Sequence, residues 1–136
     1  MIESRVQKAV ELHRKGYNCA QAVVCAYCDL FGIDEQTAYR ASEAFGFGMG
    51  QMETCGAVSA ACMLAGLKTS GGLDAIGKTK GDTYKMNRII CDKFREKNQS
   101  TLCRELKGTE TGKVLRTCPG CVEDAAQLVE TYLLNN

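Results

Sequence analysis

Tryptophan is absent from this sequence, and proline and histidine occur once each, as Pro119 and His13. A single imidazole excludes any site built from several histidines. No sign of charge dominates, since 17 basic and 16 acidic residues leave a formal net charge of +1. Binding to a nucleic-acid backbone needs a concentrated basic surface. Here Lys and Arg are interleaved with acids, so nucleic acid is not expected as a partner. Long apolar runs are missing too. The uncharged stretch Thr54–Leu67 falls well short of the roughly 20 residues that span a bilayer. The N-terminus, MIESRVQKAVELHRK, is charged from Glu3 onward and has no apolar core of the kind a secretory signal needs. No membrane span is expected, and the expected compartment is the cytoplasm. The chain has no CxxCH, so covalent c-type haem is excluded.

What remains is cysteine-rich. Hydrophobic residues make up 45% of the 136 positions and charged residues 24%, which fits one globular domain, 1–136, with a real core. Nine cysteines stand at 19, 25, 28, 55, 62, 91, 103, 118 and 121. An odd number cannot all pair within one chain. In a reducing compartment such a chain signals metal binding or thiol chemistry more often than structural disulfides.

The periodicity is helical throughout. Val6, Ala9, Val10 and His13 make one stripe of a first helix over about Ser4–Lys15, with Ser4 as its cap and Gly16 as its stop. Asn18 caps a second helix that begins at Cys19 and runs to Gly32. Cys19, Ala22, Val23, Ala26 and Leu30 share one of its faces, and only Gln21 and Asp29 are clearly polar. A helix apolar almost all round is a central one. Asp34 caps a third helix to about Ala44. The alternate glycines of Phe45–Gly50 cannot make a good helix interior, so this run is expected as a loop. Thr54 is placed to cap a fourth helix starting at Cys55, whose Gly56, Ala57, Ala60 and Ala61 let another backbone approach. A glycine-rich connection over Lys68–Gly81 leads to a fifth helix, capped by Asp82 and running to about Asn98. Cys103–Lys107 forms a short helix stopped by Gly108, and the last helix opens at Cys118-Pro119 and runs to about Leu134. Sustained period-two alternation is absent. The expected fold is all-α, a single compact bundle of about five to six helices.

Sorting the cysteines by position separates two groups. Cys19, Cys55, Cys103 and Cys118 fall at expected helix starts, where free amides and the helix dipole favour a thiolate. Cys25, Cys28, Cys62 and Cys91 fall inside helices, where cysteine acts as a small hydrophobe. Four thiolates are also the ligand set of a tetrahedral zinc site or of a [2Fe–2S] cluster. Two CxxC pairs compete with this set. Cys118-Pro119-Gly120-Cys121 opens a helix, but no βαβ pattern surrounds it, and Cys25-Ala26-Tyr27-Cys28 lies awkwardly mid-helix. The glycine loop has no preceding strand and no GK[ST], so it is not a nucleotide loop. His13 and Tyr17 are expected to pack rather than to act.

Gly16–Val23, the loop Phe45–Gly50, Glu53–Ser59, Cys103–Leu106 and Cys118-Pro119 followed by Val122 and Ala125-Ala126 carry a resemblance over nearly the whole chain. The sequence resembles the redox-active proteins named for the motif C_GCAxxG_C_C. Their four signature cysteines would map onto Cys19, Cys55, Cys103 and Cys118. One departure stands at Ala60, where the motif has glycine, and alanine is the mildest replacement at a close helix contact. The resemblance implies a small helical redox protein, and a further likeness to the iron–sulfur part of split-Soret cytochromes implies a [2Fe–2S] centre.

Two readings are therefore open. In the first, the four helix-start cysteines converge and either hold a [2Fe–2S] cluster or cycle between thiol and disulfide with a redox partner. In the thiol version Cys55 attacks and Cys19, Cys103 or Cys118 resolves. In the second, the cysteines hold structural zinc or simply pack, and the domain is a non-catalytic binding module. The small-residue helices suit helix–helix association, so a homodimer is compatible with both.

Overall fold

The computed structural model describes residues 2–135. Among them lie seven α-helices: α1 (Val6–Arg14), α2 (Cys19–Tyr27), α3 (Glu35–Ser42), α4 (Gly56–Thr69), α5 (Lys80–Asn98), α6 (Cys103–Lys107) and α7 (Cys118–Leu133). The described residues contain no strand; one isolated antiparallel bridge joins Thr54 to Leu102. The all-α expectation holds. Seven helices form, one for each helical segment read along the sequence, the short Cys103–Lys107 helix included. No helix among the described residues is long and apolar enough to cross a membrane.

α2 is the centre. Every one of its residues is buried, and α1, α3, α4 and α7 pack around it. It begins with a capping box: Asn18 Oδ1 accepts from the Gln21 amide at 2.9 Å, and Gln21 Oε1 accepts from the Asn18 amide at 3.0 Å. It ends by tightening into a 3₁₀ turn over Cys28–Phe31, closed by left-handed Gly32. That tightening turns Leu30, expected on the buried face, out to 37% exposure.

α4 and α7 flank α2. The small residues of α4 do what their size allows, and Ala57, Ala60 and Ala61 are fully buried. The approach is closest at Gly56. A Cβ there would stand 2.6 Å from Cys19 Sγ and 2.7 Å from the Phe45 carbonyl oxygen. On α7 the expected stripe Val122, Ala125, Ala126, Val129 and Leu133 is wholly buried.

Three expected caps are placed differently. Ser4 stands one residue before the cap position of α1; its hydroxyl accepts from the Val6 amide at 3.4 Å and donates to Glu130 at 3.2 Å, where the buried carboxylate also takes the Arg5 amide at 2.7 Å and the Tyr27 hydroxyl. Helix one is thus tethered to α7, and Arg5 occupies the cap position. Thr54 does not cap α4, because the bridge to Leu102 claims its backbone and Cys55 itself becomes the cap residue. Asp82 does not cap α5. The helix starts earlier, at Lys80, and Asp82 lies in its first turn, where it complements the dipole.

One polar cluster fixes the end of the bundle nearest the cysteines. The buried carboxylate of Asp124 on α7 accepts from Lys97 Nζ at 2.6 Å, Asn98 Nδ2 at 3.0 Å and Arg116 Nε at 3.0 Å. Burial alone would raise its pKa, but Lys97, Arg116 and Asn98 outweigh it and hold Asp124 below the ordinary carboxylate range. The stabilisation is therefore present above the unfolded value of about 3.9 and is lost as pH falls through the folded value. Thermal melts should show a stability that drops below about pH 4, and Asp124→Asn should shrink that drop. Gly56→Ala should destabilise the fold by about 1–3 kcal/mol through overpacking against Cys19 and Phe45. A urea midpoint equal to that of the unaltered chain would contradict the close approach.

Candidate thiol site

Each helix-start cysteine is delivered by a separate local device. The Asn18 capping box sets Cys19 at the first position of α2. Asn18 also reaches sideways, its Nδ2 donating to the Glu43 carbonyl at 2.9 Å, so the turn after α3 is held against this helix start. Cys55 and Cys103 are placed as a pair. The Cys55 amide donates to the Thr101 carbonyl at 2.8 Å, and the Cys103 amide donates to the Glu53 carbonyl at 2.6 Å. These two bonds flank the Thr54–Leu102 bridge, so the segments entering α4 and α6 run side by side. Thr117 caps α7 by accepting from the Gly120 amide at 3.1 Å, with Pro119 in the first turn and Cys118 at the first position.

The four devices converge. Cys19, Cys55, Cys103 and Cys118 line one cavity of about 130 Å³. Cys121 lines it as well, together with His13, Phe47, Lys107 and Arg116. The cavity wall is almost wholly apolar apart from these groups.

The thiols differ in environment. Cys19, Cys55, Cys103 and Cys121 are buried, while Cys118 is half-buried. Cys55 interacts with Cys19 on one side and with Cys121 on the other. The Cys19 thiol is pushed far up by its interaction with Cys55, by burial and by the Cys55 charge. Cys55 is pushed up to about 12, first by Cys121 and then by burial, against the opposing pull of Cys19 and the Val58 amide. Burial pushes Cys103 up despite Lys107. Helix starts were expected to favour thiolates at these positions. Burial and neighbouring thiols reverse that, because a second negative charge in an apolar cavity is costly.

Cys118 is set apart by Lys107, whose Nζ donates to Cys118 Sγ at 3.4 Å. Burial works against the Lys107 ammonium, but Cys118, Cys103 and Cys19 outweigh it and raise its pKa above the ordinary lysine range. The same ammonium sits 5.6 Å from the centroid of the Phe47 ring. His13 is held below the ordinary histidine range by burial and then by Lys107.

The glycine run provides the far wall. It winds into a left-handed turn in which Phe47, Met49 and Met52 take φ of 54°, 60° and 56°. Left-handed backbone costs non-glycine residues roughly 1–2 kcal/mol each, so the turn is strained beside the site. Gly48 has no room for a side chain, since a Cβ would stand 2.9 Å from Cys103 Cβ and 2.5 Å from the Glu53 nitrogen. The loop thus carries Phe47 to the mouth and lets Cys103 come close behind it.

Other cysteines lie elsewhere. Cys25, Cys28, Cys62 and Cys91 are not among the residues lining the cavity. Tyr17 packs as expected, its ring edge-on to Tyr39 with centroids 5.0 Å apart and its hydroxyl bonded to Glu35. Lys107 and Arg116 escaped the sequence reading, and Cys121 entered it only as the partner of Cys118 in a competing CxxC pair. Cys121 follows Cys118 by one turn of α7, and Lys107 follows Cys103 by one turn of α6, so each shares its partner's face. Arg116 lies in an irregular segment and had no such signal. Among the described residues no three His, Cys, Asp or Glu side chains are grouped so as to hold a metal ion.

The fold and the cavity define a helical domain organised around converging thiols. A family model described as "Putative redox-active protein (C_GCAxxG_C_C)" matches residues 17–132, and the chain belongs to that family. No curated protein and no solved structure matches the chain significantly.

Of the five cavity thiols, Cys118 should react first with a water-soluble maleimide, as read by peptide mapping after short exposure. Lys107→Met should slow that labelling by about fivefold, the equivalent of ~1 kcal/mol for a half-exposed charge-assisted hydrogen bond. Equal labelling of Cys118 and Cys55 in the folded chain would contradict the assigned burial.

Proposed function

We propose that the chain is a thiol-disulfide redox protein in which Cys118 meets the substrate and Cys103 resolves it. The observation that carries this reading is the contrast within one cavity. Four thiols are buried, and three of them, Cys19, Cys55 and Cys103, are pushed towards the protonated form, while Cys118 alone is half-buried with an ammonium at 3.4 Å. The role first expected for Cys55 passes to Cys118, because Cys55 is buried and its thiol is pushed up to about 12.

The step balances without a further reagent. The Cys118 thiolate attacks one sulfur of a disulfide R–S–S–R′, forming a Cys118–S–S–R mixed disulfide and releasing R′S⁻. Cys103, whose thiol feels the Cys118 charge, then attacks Cys118 Sγ, displacing RS⁻, which leaves with the Cys103 proton. Two electrons pass from the cysteine pair to the substrate. Lys107 holds the charge on Cys118, and Phe47 with the apolar wall keeps water from the buried sulfurs.

A second reading is favoured by the donor set itself. Cys19, Cys55, Cys103 and Cys118 would hold a [2Fe–2S] cluster, which takes four thiolates in all, two per iron, and supplies one-electron transfer when bound. Four thiols on an apolar cavity, with Lys107 and Arg116 beside it to offset negative charge, fit that group in kind. A tetrahedral zinc site needs its ligands gathered about one point, and the described residues offer no such grouping.

Purification without oxygen, followed by a visible spectrum and iron and sulfide analysis, separates the two. The thiol reading predicts a colourless chain, and Cys103→Ser should accumulate a mixed disulfide at Cys118 on exposure to cystine. Iron and sulfide with charge-transfer bands would move the assignment to the cluster. A folded Cys103→Ser chain that leaves Cys118 free would sink the thiol step.

A further inference from the structure

Two thiols outside the cavity face each other. Cys62 on α4 and Cys91 on α5 are both half-buried, and each perturbs the other's titration. The pairing follows from helix register. Thr69 near the end of α4 touches Thr83 near the start of α5, their hydroxyl oxygens 2.6 Å apart. The two helices pack against each other, and the contact of the end of α4 with the start of α5 makes them antiparallel. Two turns back along α4 from Thr69 lies Cys62, and two turns on along α5 from Thr83 lies Cys91. The same stripe that joins the threonines therefore joins the cysteines.

The two sulfurs are not equivalent. Their mutual interaction lowers the Cys91 pKa and raises that of Cys62. Burial opposes the shift at Cys91. Arg95, one turn further along α5, assists it, and Asp92 opposes it. Arg95 is bonded to Asp92 at 2.9 Å, so its charge is shared between them.

We propose that Cys62 and Cys91 form a second, independent redox site, a dithiol that reduces hydroperoxides and closes to a disulfide joining α4 to α5. The Cys91 thiolate attacks the peroxide oxygen and the O–O bond breaks. The products are a Cys91 sulfenic acid and hydroxide, which takes a proton to become water. Cys62 then attacks the Cys91 sulfur and the S–O bond breaks. The departing hydroxide takes the Cys62 proton as a second water. Two thiols and one hydrogen peroxide become one disulfide and two waters, and two electrons pass from sulfur to oxygen. The site needs neither Cys118 nor any other residue of the cavity.

The test uses the full chain, reduced and then given two equivalents of hydrogen peroxide, with disulfides mapped by mass spectrometry. The expected product is a Cys62–Cys91 disulfide, formed equally in the unaltered chain and in Cys118→Ser. Cys62→Ser should stop at a Cys91 sulfenic acid that dimedone captures, whereas Cys91→Ser should leave Cys62 unlabelled. A chain that stays folded by circular dichroism and forms no Cys62–Cys91 disulfide would overturn the proposal. So would dimedone capture on Cys62 with Cys91 still reduced.

Discussion

The contact between Cys19 and Gly56 is the constraint on which the rest of the structure depends. Two helix starts, those of α2 and α4, meet where only a glycine fits, with no room for a Cβ between Cys19 Sγ and the Phe45 carbonyl. Because they meet, Cys19 and Cys55 line the same cavity. Cys55 is in turn locked to the strand-like segment before α6, which brings Cys103 alongside. α7 packs against both α2 and α4 and carries Cys118 and Cys121 to the same cavity. A chain with few charged contacts in its centre thus builds a polar site from packing and capping alone.

Burial then decides which thiol can act. A helix start offers a thiolate amides and a favourable dipole, worth about 1 kcal/mol at an exposed position. Removing a charged sulfur from water costs more, and each neighbouring thiolate adds to that cost. Cys19, Cys55 and Cys103 fall on the losing side of this balance. Cys118 is half-buried and faces Lys107, so it alone of the cavity thiols has both partial exposure and an ammonium partner. The strained turn through Phe47 and Met49 sits beside this mouth, where distortion of the backbone places an aromatic ring over the ammonium.

Much of the architecture was readable in the sequence because its signals are local. Asn18 with Gln21, Asp34, the Gly108 stop and the Cys118-Pro119 opening are all written within a turn of where they act. The convergence of the four helix-start cysteines was anticipated from the same local cue together with the family resemblance. What escaped the reading depends on tertiary context. Thr54 looks like a cap until Leu102 arrives across the bridge. Ser4 looks like one until Glu130 does. Cys62 and Cys91 look like core filler because nothing in their own helices shows that they face each other. The differing depths of the thiols were hidden for the same reason: helix position is visible in a sequence, and depth of burial is not.

The central claim is that the cavity thiols form one redox site with Cys118 at its mouth. Equilibration of the full chain in glutathione buffers of graded potential, with each cysteine's state mapped after acid quenching, tests it most directly. The account predicts a two-electron transition in the cavity that forms a disulfide containing Cys118, with Cys25 and Cys28 reduced throughout. A cavity that stays fully reduced, or oxidises without involving Cys118, would contradict it.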